Sequence, residues 1–202
     1  MAAGSDLEAL RAEAAVCRRC HLWEVGTQTV FGEGRADARV VLAGEQPGDQ
    51  EDRSGRPFVG PAGHVLDEAL QRAGLVREDV YVTNAVKHFK WQPRGKRRIH
   101  QRPGRTEIVA CQPWLLAELE AIAPLVLVLL GAVAGSSIHG PSFRVTRDRG
   151  RPLPGPNGVT TLATVHPSSI LRGRPADRED AMNGLVADLA LVPALVAKLR
   201  DR

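Results

Sequence analysis

The chain is short of several things. Aromatic residues make up only 4% of its 202 residues, and it holds three cysteines. So few cysteines cannot build the closed disulfide framework of a small secreted domain. The longest apolar run, Ile122 to Gly135, stops at 14 residues; a membrane-crossing helix needs roughly 20. The opening residues, Met1 to Asp6, lack the basic start and apolar stretch of a secretory signal. These absences point to a cytoplasmic, reducing setting without a membrane partner. At 43% hydrophobic and 25% charged, the composition excludes disordered and collagen-like chains. The length suits a single domain over residues 1–202.

Acidic residues are missing from one stretch altogether. Between Lys87 and Thr106 there are eight basic side chains and no Asp or Glu, while the remainder has 19 basic and 23 acidic residues. A mildly acidic body therefore bears one basic segment. Phe89, Trp91, His88 and His100 are interleaved with its cations. Cations for phosphates and rings for base faces make up a nucleic-acid contact. A solvated basic loop is the plainer alternative.

Hydrophobic spacing predicts short buried strands at Arg39–Ala43, Asp79–Val86, Leu125–Leu130 and Gly158–Val165. Helices are expected at Asp6–Val16 (opened by a Ser5-Asp6-Leu7-Glu8 capping box), Ala62–Ala73, Thr106–Ile122 and from Ala176 to the end, with a bend at Pro193. The segment Phe143–Asn157 reads as turn-rich, with hairpin character. Alternating strands and helices imply a three-layer α/β/α sandwich around a mostly parallel four-stranded sheet. Ligands of such sheets sit beyond the carboxyl ends of the strands. There the sequence places Glu45, Asn84 and His166, so a carboxylate, an amide and an imidazole converge on one cleft. The pair Cys17-Arg18-Arg19-Cys20 has the spacing of a metal or redox site.

Four ordered motifs carry a resemblance that runs from Cys17 to the final helix. They are Gly44-Glu45-Gln46-Pro47-Gly48, Gly55-Arg56-Pro57-Phe58-Val59-Gly60-Pro61-Ala62-Gly63, Thr83-Asn84-Ala85-Val86-Lys87 and His166-Pro167. Together they resemble the uracil-DNA glycosylase superfamily, and within it the iron–sulfur family 4 enzymes. Gln46, the insertion Lys96-Arg97-Arg98-Ile99-His100 and His166-Pro167-Ser168-Ser169 resemble more closely the UDGX group. Members of that group stay covalently attached to uracil-containing DNA through the histidine of this insertion.

Excising uracil leaves positive charge on the sugar and negative charge on the departing base, which must first leave the stack. The resemblance implies catalytic roles for Glu45 at the sugar, His166 as donor to the uracil anion, and His100 as nucleophile. Asn84 can present a donor and an acceptor to the uracil edge, and Phe58 a stacking face. Gln46 and Asp49 are expected to line the site. Lys96, Arg97, Arg98, Ser168 and Ser169 are expected at the DNA. Each residue also has a plainer role open to it: Phe58 as a core anchor, Asn84 and Asp49 as turn residues, Glu45 as a partner of Arg56. His166 is then structural, and His100 grips phosphate. The cations flanking His100 should lower its pKa. The loop lacks the Gly-Lys-Ser/Thr ending of a P-loop.

Family 4 proteins bind a cluster through four cysteines. Cys17, Cys20 and Cys111 match three of these positions, and His88 stands where the family has the other cysteine. The resemblance implies a [4Fe–4S] cluster on Cys17, Cys20, His88 and Cys111; by residue type alone, zinc fits as well. The expected partners are uracil-containing DNA, single strands included, and free uracil, with the protein a monomer. A glycosylase that turns over and a non-catalytic uracil or abasic-site binder are the competing readings.

Overall fold

The protein is described from a computed structural model over residues 3–200. In chain order the elements are α1 (Ala3–Ala15), α2 (Leu22–Val25), β1 (Val40–Gly44), α3 (Asp49–Ser54), α4 (Pro61–Arg72), β2 (Val80–Asn84), β3 (Trp91–Arg94) and β4 (Arg97–His100). There follow α5 (Arg105–Ile122), β5 (Val126–Leu130), α6 (Gly131–His139), α7 (Val145–Asp148), β6 (Pro152–Pro154), β7 (Thr160–Thr164), α8 (Pro167–Arg172), α9 (Arg178–Leu189) and α10 (Val192–Arg200).

The central sheet runs β2-β1-β5-β7-β6, with its first four strands parallel. Residues alternate between its faces, as a pleated strand requires. Val41, Ala43, Tyr81, Leu127 and Leu129 share one core with Leu115 and Leu119 of α5. Val40, Leu42, Val80, Val82 and Val128 share the other with α4, α8 and α9. Both faces are thus covered, which explains the near-continuous apolar strands. The three-layer α/β/α sandwich is as expected, but the sheet has five strands rather than four. The extra strand, β6, is a Pro-Leu-Pro edge antiparallel to β7. Two prolines cannot donate to a ladder and suit an edge, and three residues are too few to show a period.

Two helical expectations shift. The first helix begins at Ala3, ahead of the Ser5 capping box. The C-terminal stretch is two helices, not one bent at Pro193; the break falls between Leu189 and Val192, and Pro193 sits in the first turn of α10, where its missing N–H is no loss. By length and composition, 175–200 could cross a membrane. Its Met182, Leu185, Leu189 and Val192 are instead buried in the second core.

Beneath the strand ends lies a fully buried ion pair. Lys87 Nζ is 2.5 Å from Glu118 Oε2 and also donates to Thr83 Oγ1 and the Asn84 carbonyl. Glu118 accepts further from Tyr81 Oη, Thr83 Oγ1 and the Gly32 N–H. Burial, then Glu118, pushes the Tyr81 phenol far up, so it stays a donor.

The basic segment is not a loop. It folds as a two-stranded hairpin, β3 against β4, with Trp91 opposite His100 and Arg94 opposite Arg97. Gly95, at φ +59, takes the first turn position, the type II′ requirement of a two-residue hairpin. A lone hairpin is marginal in water, and three ties hold this one. Gln46 Nε2 donates to the carbonyls of Lys90 and Gln101, and its Oε1 accepts from Lys90 N–H. Trp91 Nε1 donates to the Val25 carbonyl at 2.8 Å. Arg98 pairs with Asp49 and, at 2.6 Å, with the wholly buried Asp52, its guanidinium lying over the Phe89 and Trp91 rings.

Arg98→Ala should therefore loosen the hairpin. Asp52 would keep its bonds from Thr27 but lose its cation, costing about 3 kcal/mol, the low end for a broken buried pair. Denaturant unfolding reads the loss. Hydrogen exchange of the β3–β4 amides should rise more than that of β1. Unchanged exchange there would show that Arg98 does not hold the hairpin.

Candidate active site

The ends of β1 and β2, the loop before α4 and the start of α8 enclose a cavity of about 420 Å³. Asp49, Phe58, Asn84, His100, His166 and Ser168 are in its wall. Gly44 makes the approach possible. It lies in register with Asn84, and a Cβ there would meet Asn84 Oδ1 at 2.5 Å and Phe58 Cζ at 2.6 Å. Phe58 is buried and adopts φ +56, a strained state for a non-glycine residue that the surroundings must enforce. Its carbonyl would clash with any side chain at position 63. Its ring stacks on that of His166, centroids 6.2 Å apart. Phe58 is thus both part of the core and a wall of the cavity.

Glu51, which pattern reading passed over, stitches two glycine-rich segments together. Its carboxylate accepts from Gly48 N–H at 3.0 Å and from Gly60 N–H at 2.7 Å. The Gly48-x-x-Glu51 spacing, a helix-opening signal, was the available clue. Asn84 closes β2; its carbonyl is taken by Lys87. Its amide side chain makes no hydrogen bond among the described residues, leaving it free to face a ligand in the cavity.

His166 caps α8. Its Nδ1 accepts from Ser168 N–H and lies 2.8 Å from Ser168 Oγ, which in turn accepts from Arg172. The Ser168 hydroxyl proton is thereby directed at Nδ1. With two donors on Nδ1, the ring proton must sit on Nε2. Burial, then Arg172 and His100, lowers the His166 pKa to about 4, so at neutral pH the ring is an uncharged Nε2–H donor. Ser169 spends its hydroxyl on the His166 carbonyl.

His100 ends β4 at the cavity mouth. Its Nε2 is 3.4 Å from Glu45 Oε1, and the ring tilts against Phe89. Its pKa is lowered, as expected, but the causes differ: burial first, then Arg172, rather than the neighbouring Lys96, Arg97 and Arg98. Arg172, in the cavity wall, carried no sequence signal. Burial raises the Glu45 pKa, against the pull of Arg102 and Arg172. Arg56, the alternative partner for Glu45, pairs instead with Glu33.

The other expected site residues divide. Lys96 and Arg97 stand exposed at the hairpin turn. Arg98, expected at DNA phosphate, is committed to Asp49 and Asp52. Asp49 thus serves the hairpin as well as the cavity. Gln46 does line the cavity, as expected, but its amide is engaged by the hairpin.

Away from the cavity, burial above all pushes the Cys111 pKa up to about 12, with Cys20 and Cys17 adding to the rise. Cys111 Sγ accepts from Lys87 N–H and Cys17 Sγ from Trp114 Nε1. His88 Nε2 is 3.0 Å from Thr29 Oγ1, whose own proton goes to the Ala14 carbonyl. The His88 proton must then be on Nε2, leaving Nδ1 with a bare lone pair, the state a metal ligand needs. Among the described residues no three His, Cys, Asp or Glu side chains are drawn together to hold a single metal ion. By donor chemistry, three thiols and one imidazole suit a thiolate-bound cluster or zinc alike.

The sequence was compared with known proteins. Residues 31–190 match the family described as the uracil DNA glycosylase superfamily. A Type-4 uracil-DNA glycosylase of Thermotoga maritima is 43% identical over 159 residues, covering 78% of this chain and 79% of that protein. The Type-4 enzyme of Archaeoglobus fulgidus is 36% identical over 189 residues, 87% of each chain, and that of Sulfurisphaera tokodaii 35% identical over 174 residues, 82% of this chain and 76% of its own. With the fold, the cavity at the strand ends and this match over most of its length, the chain belongs to the uracil-DNA glycosylase superfamily.

Proposed function

We propose that the protein excises uracil from DNA and that His100 then captures the sugar, leaving protein and DNA covalently joined. The observation that carries this reading is His100, its Nε2 3.4 Å from Glu45, at the mouth of the cavity that also holds Asn84, Phe58 and His166.

In this reading Phe58 stacks on the flipped base and Asn84 pairs with its edge. The bond between C1′ and the base breaks, and the base keeps the electron pair. His166 Nε2–H donates to the resulting anion, a contribution typically of about 10²–10³ in rate. The Glu45 carboxylate faces the cationic sugar. A lone pair of the neutral His100 ring then forms the bond to C1′, and the positive charge passes to the imidazole beside Glu45. Lys96 and Arg97 meet phosphate, and Ser168 and Ser169 support the DNA-facing start of α8.

The same reading assigns a [4Fe–4S] cluster to Cys17, Cys20, His88 and Cys111. Such a group would be held by these four side chains and would tie the Cys17–Cys20 segment to His88 and to α5. The relatives' name, Type-4 uracil-DNA glycosylase, favours a second reading in which water, not His100, completes the reaction.

A denaturing gel of protein mixed with uracil-containing single-stranded DNA separates the two. A shifted band is expected; alkali-labile strands without a shift mean turnover. His100→Ser should abolish the adduct yet release abasic DNA over several turnovers. An adduct that persists in that variant would remove His100 from its role. His166→Ala should slow excision by about 10²–10³.

The pH dependence follows from the lowered His100 pKa. A free imidazole is half protonated near pH 6.5; here the lone pair survives to lower pH. Adduct yield at pH 6.5 should stay above half of its value at neutral pH and fall as pH drops through the lowered value. Yield already halved at pH 6.5 would contradict this. The purified protein should be brown and contain iron. Cys111→Ala should lose the colour, whereas His88→Cys should keep it. A colourless protein with stoichiometric zinc would refute the cluster.

A further inference from the structure

A second cavity, larger than the one at the strand ends, lies elsewhere. A groove of about 720 Å³ lies between the first turns of α5, α6 and the segment that follows α6. Arg102, Arg105 and Arg144 line it together with Ile108, Val109 and Ile138, and no carboxylate does. All three arginines are exposed. Among the described residues none of their side chains has an ion-pair partner; the Arg144 guanidinium bonds only the carbonyls of Pro141 and Phe143, while its backbone N–H donates to Asp148.

The groove adjoins the active site along two segments. Arg102 is two residues beyond His100 and acts on the Glu45 carboxyl. Ala132, also in the groove wall, follows Gly131, where a Cβ would touch His166 Cβ at 2.8 Å. A polyanion seated at His100 and His166 therefore meets unpaired cations next. Val109 is 53% exposed, an apolar surface beside arginines in a form suited to base faces. Bases offer their faces only when unpaired.

We propose that this groove carries the single strand of DNA running on from the uracil site, with phosphates at Arg105 and Arg144 and base faces against the apolar residues between them. The proposal rests on the uracil-DNA reading for its substrate, and deepens it by naming the strand's path.

The test compares the parent protein with Arg105→Glu, Arg144→Gln and their combination. Arg105 opens α5, where a carboxylate suits the helix dipole, so the first variant should fold even if the loop around Arg144 suffers. Circular dichroism melting checks each. Excision under subsaturating conditions is measured on a trinucleotide with central uracil, and on oligonucleotides extended on the 5′ or the 3′ side. Extension on one side should speed the parent by about tenfold or more, the scale of one stacked base. The variants should lose that gain and process the trinucleotide at the parent rate. Binding of uracil-free single strands, followed by fluorescence anisotropy, should lose about 0.7 in salt slope per phosphate contact removed. The proposal is overturned if the variants keep the gain, lose the trinucleotide equally, or bind uracil-free strands with the parent's salt slope. If the parent excises no uracil at all, the functional reading fails instead, and the anisotropy arm still decides the groove.

Discussion

The buried pair of Lys87 and Glu118 is the constraint from which the site hangs. Two charges removed from water cost several kcal/mol each unless every hydrogen-bonding position is filled. Here they are filled by Thr83, Tyr81, Gly32 and the Asn84 carbonyl. That requirement fixes the end of β2 to the middle of α5. Asn84 is thereby held at the cavity on one side, while on the other Lys87 N–H reaches Cys111 and His88 follows directly. The Asn84 amide and the thiol-rich region are set by one network.

A second layer of control lies in where carboxylates are spent. Glu51 binds two glycine-rich segments, Asp52 and Asp49 hold Arg98, and Glu107 pairs with Lys90 at 2.7 Å at the foot of the hairpin. Among the acidic groups around the cavity, Glu45 stands out: its charge is opposed by burial, its near neighbour is the His100 ring, and Arg102 and Arg172 steady it through space. The arrangement leaves one carboxylate without a cationic partner in contact and ties the others into the structure.

The strands and the layered order of the fold were legible because buried parallel strands read as apolar runs. The edge strand Pro152–Pro154 was not, since prolines and brevity erase the signal. Glu45, Asn84 and His166 could be located from the rule that sites collect at strand ends. The roles of Gln46 and Arg98 could not. A glutamine beside a glutamate at a strand end and an arginine in a basic run look like ligand contacts, and only folding reveals the amide and guanidinium already satisfied by protein partners. Arg172 was invisible for the opposite reason: it acts through space on three groups from three different segments.

The hairpin adds no strand to the central sheet; it is a ribbon attached by side chains of β1's flank, α3 and the Val25 carbonyl. Such an appendage is a foldon of its own, able to open with a free energy below that of the whole domain. The group at its end, His100, is thus held by a weaker clamp than Asn84 or His166, which belong to the sheet and the helix behind it. Warming or mild denaturant would uncouple the two before the domain melts. In that interval the cavity would still be formed while His100 had moved away from Glu45, so that what stands at the cavity mouth is governed by the breathing of a four-residue strand.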